Sequence, residues 1–248
     1  MSNFVIAIDA GHGVNGDPGA THKNGRREAD DTLRLANAIN TECQNRGFKT
    51  VVTRTTINSG TLDRAGIAKK AGAGVFLCIH RNAFNGTAKG FETWTAVSFS
   101  SKTNEIAQAV QKKCVAVGVL ANRGVKRDSN NSYPLITGLE RSGIPAILIE
   151  YNFVDSTEDN ECFDKNINGY AKATVDAVAE VFGLQGGAKP STPAPAQTNA
   201  VYTVVSGDTM SKIAQKHGVT LNALIAANPQ IQNASTISIG QKINIPKR

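Results

Sequence analysis

The chain has 248 residues, 40% of them hydrophobic, and a formal net charge of +7. That length suits one large domain plus a small one, and no apolar run reaches the roughly 18 residues that span a membrane. Cys43, Cys78, Cys114 and Cys162 form no CxxC pair, which argues against a zinc ribbon or a disulfide scaffold and predicts reduced, mostly buried thiols.

In chain order, residues 4–9 form a short apolar run of strand length, interrupted early by Asp9. With no basic region and no small-residue cleavage site, it reads as a first strand and not a secretory signal. Residues 31–46 place Leu35, Ala36, Ile39 and Cys43 on one helical face, with Gly47 as the cap. Residues 48–54 read as a strand, 62–71 as a helix and 75–80 as a buried strand. Residues 91–97 are strand-like, 103–117 helical and 146–150 another buried strand. A final helix over 166–182 turns Ile167, Tyr170, Ala171, Thr174 and Val178 inward. Strands alternating with helices predict an α/β fold, a twisted and largely parallel sheet flanked by helices. Catalytic residues in such folds collect at the carboxyl ends of the strands.

Residues 184–200 hold Pro190, Pro193 and Pro195 among small polar residues and predict an extended spacer between domains at 1–183 and 201–248. Residues 1–184 carry a net charge of +2 and residues 201–248 a net +4, so the basic character lies in the tail. A basic tail suits an anionic partner, either nucleic acid or an anionic cell wall. Tyr202 is the tail's one aromatic residue, so the interleaved aromatic and basic pattern of single-strand binders is missing.

Chemistry gathers at predicted strand ends. His12 lies in a glycine-flanked turn after the first strand, His80 ends the strand over 75–80, and Glu28 stands just before the first helix. Two imidazoles and a carboxylate supply a three-ligand zinc site with a fourth position open. Zinc in such a set polarises a carbonyl and brings its water towards neutral pKa. Glu150 ends an apolar strand, a costly place for an unpaired charge, and is the candidate proton carrier. Taken singly, each residue has a plainer role open to it. A strand-end histidine can be structural, Glu28 can serve the helix dipole, and Glu150 can pair with Arg141 or Arg54. What the plain readings must explain together is all four residues at compatible strand ends. His22 reads as a solvated loop residue and not a ligand.

These residues resemble a known family. Ile8-Asp9-Ala10-Gly11-His12-Gly13, Asp17-Pro18-Gly19-Ala20 and Glu28 are similar to the opening of the zinc N-acetylmuramoyl-L-alanine amidases of the Amidase_3 type. Val52-Thr53-Arg54, Leu62-Asp63-Arg64-Ala65, Cys78-Ile79-His80-Arg81-Asn82-Ala83, Gly90-Phe91-Glu92-Thr93-Trp94 and Arg123-Gly124-Val125-Lys126 follow in order. The block Pro145-Ala146-Ile147-Leu148-Ile149-Glu150-Tyr151-Asn152-Phe153 closes the match. The resemblance implies zinc on His12, Glu28 and His80, catalysis by Glu150, and cleavage between N-acetylmuramic acid and the L-alanine of the stem peptide. Arg81 and Asn152 stand where the family often has alanine and glycine, and are expected to tune the substrate cleft.

The tail resembles a LysM module. Tyr202-Thr203-Val204-Val205-Ser206-Gly207-Asp208-Thr209-Met210, then Gly218, Leu221, Leu224, Asn228-Pro229 and Gly240-Gln241-Lys242-Ile243-Asn244-Ile245-Pro246, follow its pattern. The implied fold is a small α+β strand-helix-helix-strand domain, with Asp208 or Thr209 capping the first helix and Gly218 ending it. The implied glycan groove runs between Gly207, Asp208, Thr209 and Met210 on one side and Asn228, Pro229, Gln230 and Ile231 on the other. Both resemblances point to one partner, bacterial peptidoglycan, with neither nucleic acid nor membrane insertion expected, and the chain is expected to be monomeric. Without a secretory signal, the preferred expectation is a phage endolysin that stays in the host cytoplasm until released to the wall. A bacterial autolysin or mother-cell lysis amidase, and a non-catalytic wall-binding protein, are the rival expectations.

Overall fold

The computed structural model describes residues 3–186, 200–219, 221–228, 231 and 237–246. Contacts divide the chain into two units, residues 1–190 and 191–248. Most of the predicted spacer lies outside the described residues. No described helix is long and apolar enough to cross a membrane.

The larger unit is built on a six-stranded sheet. Its strands are β1 (Val5–Ala10), β2 (Lys49–Val52), β3 (Ala73–Asn82), β4 (Phe91–Thr95), β5 (Asn122–Arg127) and β6 (Ala146–Phe153), in the order β2-β1-β3-β6-β4-β5. β2, β1, β3 and β6 run parallel, and β4 meets β6 antiparallel with β5 parallel to β4. The sheet is thus mixed and mostly parallel, as the alternation of elements predicts. Helices α1 (Glu28–Asn45), α2 (Arg64–Lys70), α3 (Ser101–Val117), α4 (Pro134–Arg141) and α5 (Thr157–Phe182) connect the strands.

Both faces of the sheet are covered, which explains why the central strands read as unbroken apolar runs. On one face Ile6, Ile8, Val75, Leu77, Ile79, Ile147 and Ile149 pack with Leu35 and Ile39 of α1, Ile106 and Val110 of α3, and Phe163 and Val178 of α5. On the other, Ala7, Phe76, Cys78 and Leu148 meet Ala68 of α2 and Ile136 and Leu139 of α4. The cysteines are free thiols, with Cys43, Cys78 and Cys114 buried and Cys162 half-buried.

Element ends differ from the sequence expectations where polar residues go inside. α5 starts at Thr157, nine residues before the expected start, because Ser156 caps it by accepting from Asp159 N. Its first turns bury Asp159, Asn160 and Phe163, so they lack an apolar stripe. β5 and α4 have no counterpart in the predicted elements. β5 is a half-exposed edge strand of sequence NRGVKR, and α4 is only eight residues long, with Pro134 at its first turn.

Arg81 is fully buried, and the structure removes it from the substrate cleft. Its Nη1 donates to Asp31 Oδ2 at 2.5 Å and Asn160 Oδ1 at 2.7 Å, and its Nε donates to the Tyr151 carbonyl at 3.0 Å. The guanidinium lies 4.2 Å from the centre of the Phe163 ring. Asn152 is also buried and takes φ 66, the left-handed region that glycine enters without cost. Both residues therefore brace the junction of β3, β6 and α5 and do not face substrate, contrary to the sequence expectation. His22 likewise is not solvated. It is 7% exposed, with Nδ1 accepting from Asn24 N and Nε2 beside Thr157 Oγ1.

The smaller unit pairs β7 (Ala200–Thr203) antiparallel with β8 (Lys242–Ile245) beside α6 (Met210–His217) and α7 (Leu221–Ala226). Val204, Met210, Ile213, Leu224, Ile243 and Ile245 form its core. Thr209 caps α6 by accepting from Lys212 N, and Gly218 ends it at φ 64.

Replacing Arg81 by Met leaves Asn160 Oδ1 without its buried donor and Asp31 with Arg26 and Arg34 alone, and is expected to cost about 3 kcal/mol. Urea denaturation measures this, with substrate preference unchanged in the folded fraction.

Candidate functional site

Three elements bring the predicted ligands together at the carboxyl edge of the sheet. His12 follows β1, Glu28 is the first residue of α1, and His80 lies near the end of β3. Their ligating atoms all lie within 4.8 Å of one another. His12 Nε2 is 3.1 Å from Glu28 Oε2, and His80 Nδ1 is 2.9 Å from Glu28 Oε1. The other His12 nitrogen, Nδ1, is 2.8 Å from Asp17 Oδ2, a carboxylate placed to fix the ring's orientation.

The chain around these residues is tightly specified. His12 itself has φ 58, a strained conformation for a residue with a side chain. Two arginines hold that turn. Arg64 donates to the Ala10 and His12 carbonyls at 2.7 Å each, and Arg54 donates to the Gly11 carbonyl at 3.0 Å. Arg64 is held in turn by Asp9 at 2.5 Å, and Asp9 also accepts from Thr53 Oγ1. A Cβ on Gly11 would come within 2.5 Å of the His80 ring, and one on Gly19 within 2.8 Å of Glu28 Oε2. Glycine is required at both places by this close approach.

Charge in the site is strongly biased. Burial disfavours the Glu28 carboxylate, but hydrogen bonds and charge from His12 and His80 outweigh it and hold the group well below the usual carboxylate range. Burial also disfavours the His12 imidazolium, yet Glu28 and Asp17 carry its pKa up to about 9. In the metal-free site, two acids thus keep a proton on His12. Two neutral-capable imidazoles and one ionised carboxylate, with a supporting acid behind, fit a divalent zinc ion.

Glu150 is on β6, in register with His80 on β3. It is 8% exposed, and its Oε2 has no hydrogen-bond partner among the described residues. Burial first, and then the negative charges of Glu28 and Glu92, push its carboxyl well above the ordinary range. Neither alternative partner is used: Arg54 turns to backbone carbonyls and Arg141 lines a separate hollow with Phe99 and Thr137. A cavity of about 180 Å³ opens beside His80, lined by Cys78, Leu148, Tyr133 and Ile136 among others.

Several contributors escape the sequence reading. Asp17, Arg64 and Glu92 all bear on the site, and the visible signal for Glu92 was a lone charge in the apolar run of β4. In the smaller unit, Gly207 and Thr209 are exposed and Asp208 is half-buried, accepting from Tyr202 Oη at 2.8 Å and Val205 N at 2.9 Å. Met210 is 2% exposed and belongs to the core. The fully buried Asn228 side chain is bonded to the Leu224 carbonyl and to both backbone groups of Asn244, all at 2.7 Å. Met210 and Asn228 therefore hold the fold and do not line a groove. Ile231 packs partly buried against the same core, and Pro229 and Gln230 lie outside the described residues.

This edge defines a mixed α/β protein with a His-Glu-His cluster and an adjacent buried acid. The family model for N-acetylmuramoyl-L-alanine amidases matches residues 6–180, and the LysM domain model matches residues 202–246. The sporulation-specific N-acetylmuramoyl-L-alanine amidase of Bacillus subtilis (strain 168) is 31% identical over 185 residues, 73% of this chain and 69% of that protein. N-acetylmuramoyl-L-alanine amidase CwlM of Bacillus licheniformis is 29% identical over 218 residues, 86% and 81% of the two chains. The crystal structure of an N-acetylmuramoyl-L-alanine amidase from Clostridium difficile 630 superposes with a TM-score of 0.66 at 31% identity, covering 75% of this chain and 100% of that one. The chain belongs to the N-acetylmuramoyl-L-alanine amidase family and is a peptidoglycan amidase with a C-terminal LysM domain.

Removing the acid behind His12 with Asp17→Ala is expected to weaken metal affinity about 10- to 100-fold. Titration with a competing chelator reads this directly, and the far-UV spectrum is expected to stay unchanged.

Proposed function

We propose that this amidase is zinc-dependent and that Glu150 is its catalytic carboxylate. The bond cut is the amide between the lactyl group of N-acetylmuramic acid and the L-alanine of the stem peptide. The observation that carries the reading is the juxtaposition of the His12-Glu28-His80 cluster with an unpartnered buried carboxyl one strand away. His12, Glu28 and His80 would hold the ion, which when bound supplies Lewis-acid polarisation of the amide carbonyl and a water of lowered pKa. Glu150 accepts a proton from the attacking water and delivers it to the departing alanine nitrogen. Its raised affinity for protons brings the group closer to the operating pH, which is what an acid-base carrier needs. Asp17 and Arg64 keep His12 in place, and Cys78 and Leu148 give the cavity beside His80 an apolar wall.

The LysM unit supplies wall attachment, and its ligand is the N-acetylglucosamine-containing glycan. Tethering through the spacer raises the local concentration of the catalytic unit at the wall without demanding high affinity. In biological setting we favour a phage endolysin acting from the host cytoplasm once the membrane is breached. β1 is an inner strand of the sheet, so residues 5–10 belong to the folded body. A bacterial autolysin or mother-cell lysis enzyme is the second reading, favoured by the similarity to the sporulation-specific amidase of Bacillus subtilis. Expression inside a susceptible bacterium separates the two. The endolysin reading expects lysis only after the membrane is permeabilised, and lysis of intact cells counts against it.

Digestion of purified peptidoglycan is expected to release whole stem peptides with free L-alanine N-termini, identified by mass spectrometry, and chelator is expected to stop the release. Fragments cut within the peptide would overturn the bond assignment.

Glu150→Gln is expected to lower the rate by about 10²- to 10⁴-fold while zinc still binds. The same change is expected to stabilise the metal-free protein at neutral pH. Glu150 has a folded pKa above its unfolded value near 4.5. Below that value both states are protonated and nothing is lost. As pH rises above it the unfolded state ionises freely, and the wild type loses stability that Gln retains. Thermal midpoints a few degrees apart at pH 7 should therefore converge below pH 4.

A further inference from the structure

The row of side chains through His80 and Glu150 at the carboxyl edge of the sheet continues beyond Glu150. Glu92, in β4, lies opposite Glu150 in the antiparallel register, as His80 does in the parallel register on the other side. Directly opposed residues project from the same face. Glu92 is 2% exposed and satisfied by four donors. Asn82 Nδ2 and Trp94 Nε1 donate to Oε1 at 2.9 Å each. Arg123 Nε at 2.5 Å and Lys126 Nζ at 2.7 Å donate to Oε2.

Two cations thus answer one carboxylate, and a positive charge is left over. Neither Arg123 nor Lys126 has a second acid within ion-pair distance among the described residues. Their side chains remain 35% and 33% exposed. Both are also pre-positioned by aromatic rings, Arg123 at 5.0 Å from the Phe153 centroid and Lys126 at 5.3 Å from that of Trp94. Adjacent strands are about 4.8 Å apart, so Glu92 stands roughly 10 Å from His80 along the row. That distance is the reach of about two to three residues of extended peptide.

We propose that Arg123 and Lys126 form a subsite for a carboxylate on the second residue of the stem peptide, so that the enzyme prefers a free acid there to a carboxamide. The inference rests on the amidase reading of the neighbouring site. It makes the two side chains specificity determinants on the leaving-peptide side of the scissile bond, with Glu92 as the residue that positions them.

The test compares kcat/KM of the full-length zinc-loaded enzyme on two muramoyl peptides that differ only in carboxylate or carboxamide at the second residue. Wild type is expected to favour the acid about tenfold, and the preference should shrink with added salt. Lys126→Met is expected to lower the value for the acid about tenfold more than the value for the amide, and Lys126→Arg should restore the preference. Arg123→Met, which leaves Glu92 one cationic partner, should erase the preference in the same way. Equal rates for the two substrates in wild type, or equal losses on both in the variants, would overturn the subsite. Failure of wild type to cleave either substrate overturns the amidase reading itself and the subsite with it.

Discussion

The active edge depends on one buried carboxylate. Glu28 is 3% exposed, a position that is tolerable only because every lone pair is used. Oε1 meets His80 Nδ1 and accepts from Arg81 N at 3.0 Å; Oε2 meets His12 Nε2 and accepts from Ala20 N at 3.0 Å. The same residue ties the loop after β1, the start of α1 and the end of β3 into one unit. Its backbone joins in, with Glu28 N donating to the Ala20 carbonyl at 2.9 Å. Folding and ligand assembly are therefore the same event at this position.

From that anchor, three acids in neighbouring positions are driven to different charge states by what surrounds them. Glu28, between two imidazoles, and Glu92, between Arg123 and Lys126, are held ionised. Glu150 lies between them in the row with an unpartnered oxygen and no cation in contact, and burial beside two negative charges favours its neutral form. Separating the proton affinities of adjacent carboxyls by environment is how one site assigns one acid to binding and another to proton transfer. The apolar face below, through Cys78 and Leu148, keeps the local dielectric low enough for these differences to be large.

Behind the edge lies a polar layer. Asp31 accepts from Arg26, Arg34 and Arg81, and Asp159 accepts from Gly90 N at 2.8 Å and Phe153 N at 2.7 Å. This layer sets the ends of β3 and β6 and hence where His80 and Glu150 stand. It also accounts for Arg81 and Asn152. Arg81 makes buried hydrogen bonds to α1 and α5, and Asn152 takes a left-handed conformation beside them.

Much was legible in the sequence. Apolar runs that end in a polar residue, at 4–9, 75–80 and 146–150, are dictated by a sheet covered on both faces, and the polar residue closing such a run is conspicuous. That is why His80 and Glu150 could be named, and why His12 and Glu28, in ordered motif blocks, could join them. Periodicity was silent on the first nine residues of α5 and on β5, because buried Asp159 and Asn160 and an exposed edge strand carry no apolar pattern. Only the tertiary structure decided which polar residues face the site. It placed Glu92, Arg123 and Lys126 beside Glu150 and withdrew Arg81, His22, Met210 and Asn228 into packing. Local sequence determines which face of an element is apolar, but a polar side chain's role depends on partners far along the chain, and only strand order and register bring those partners within hydrogen-bond reach.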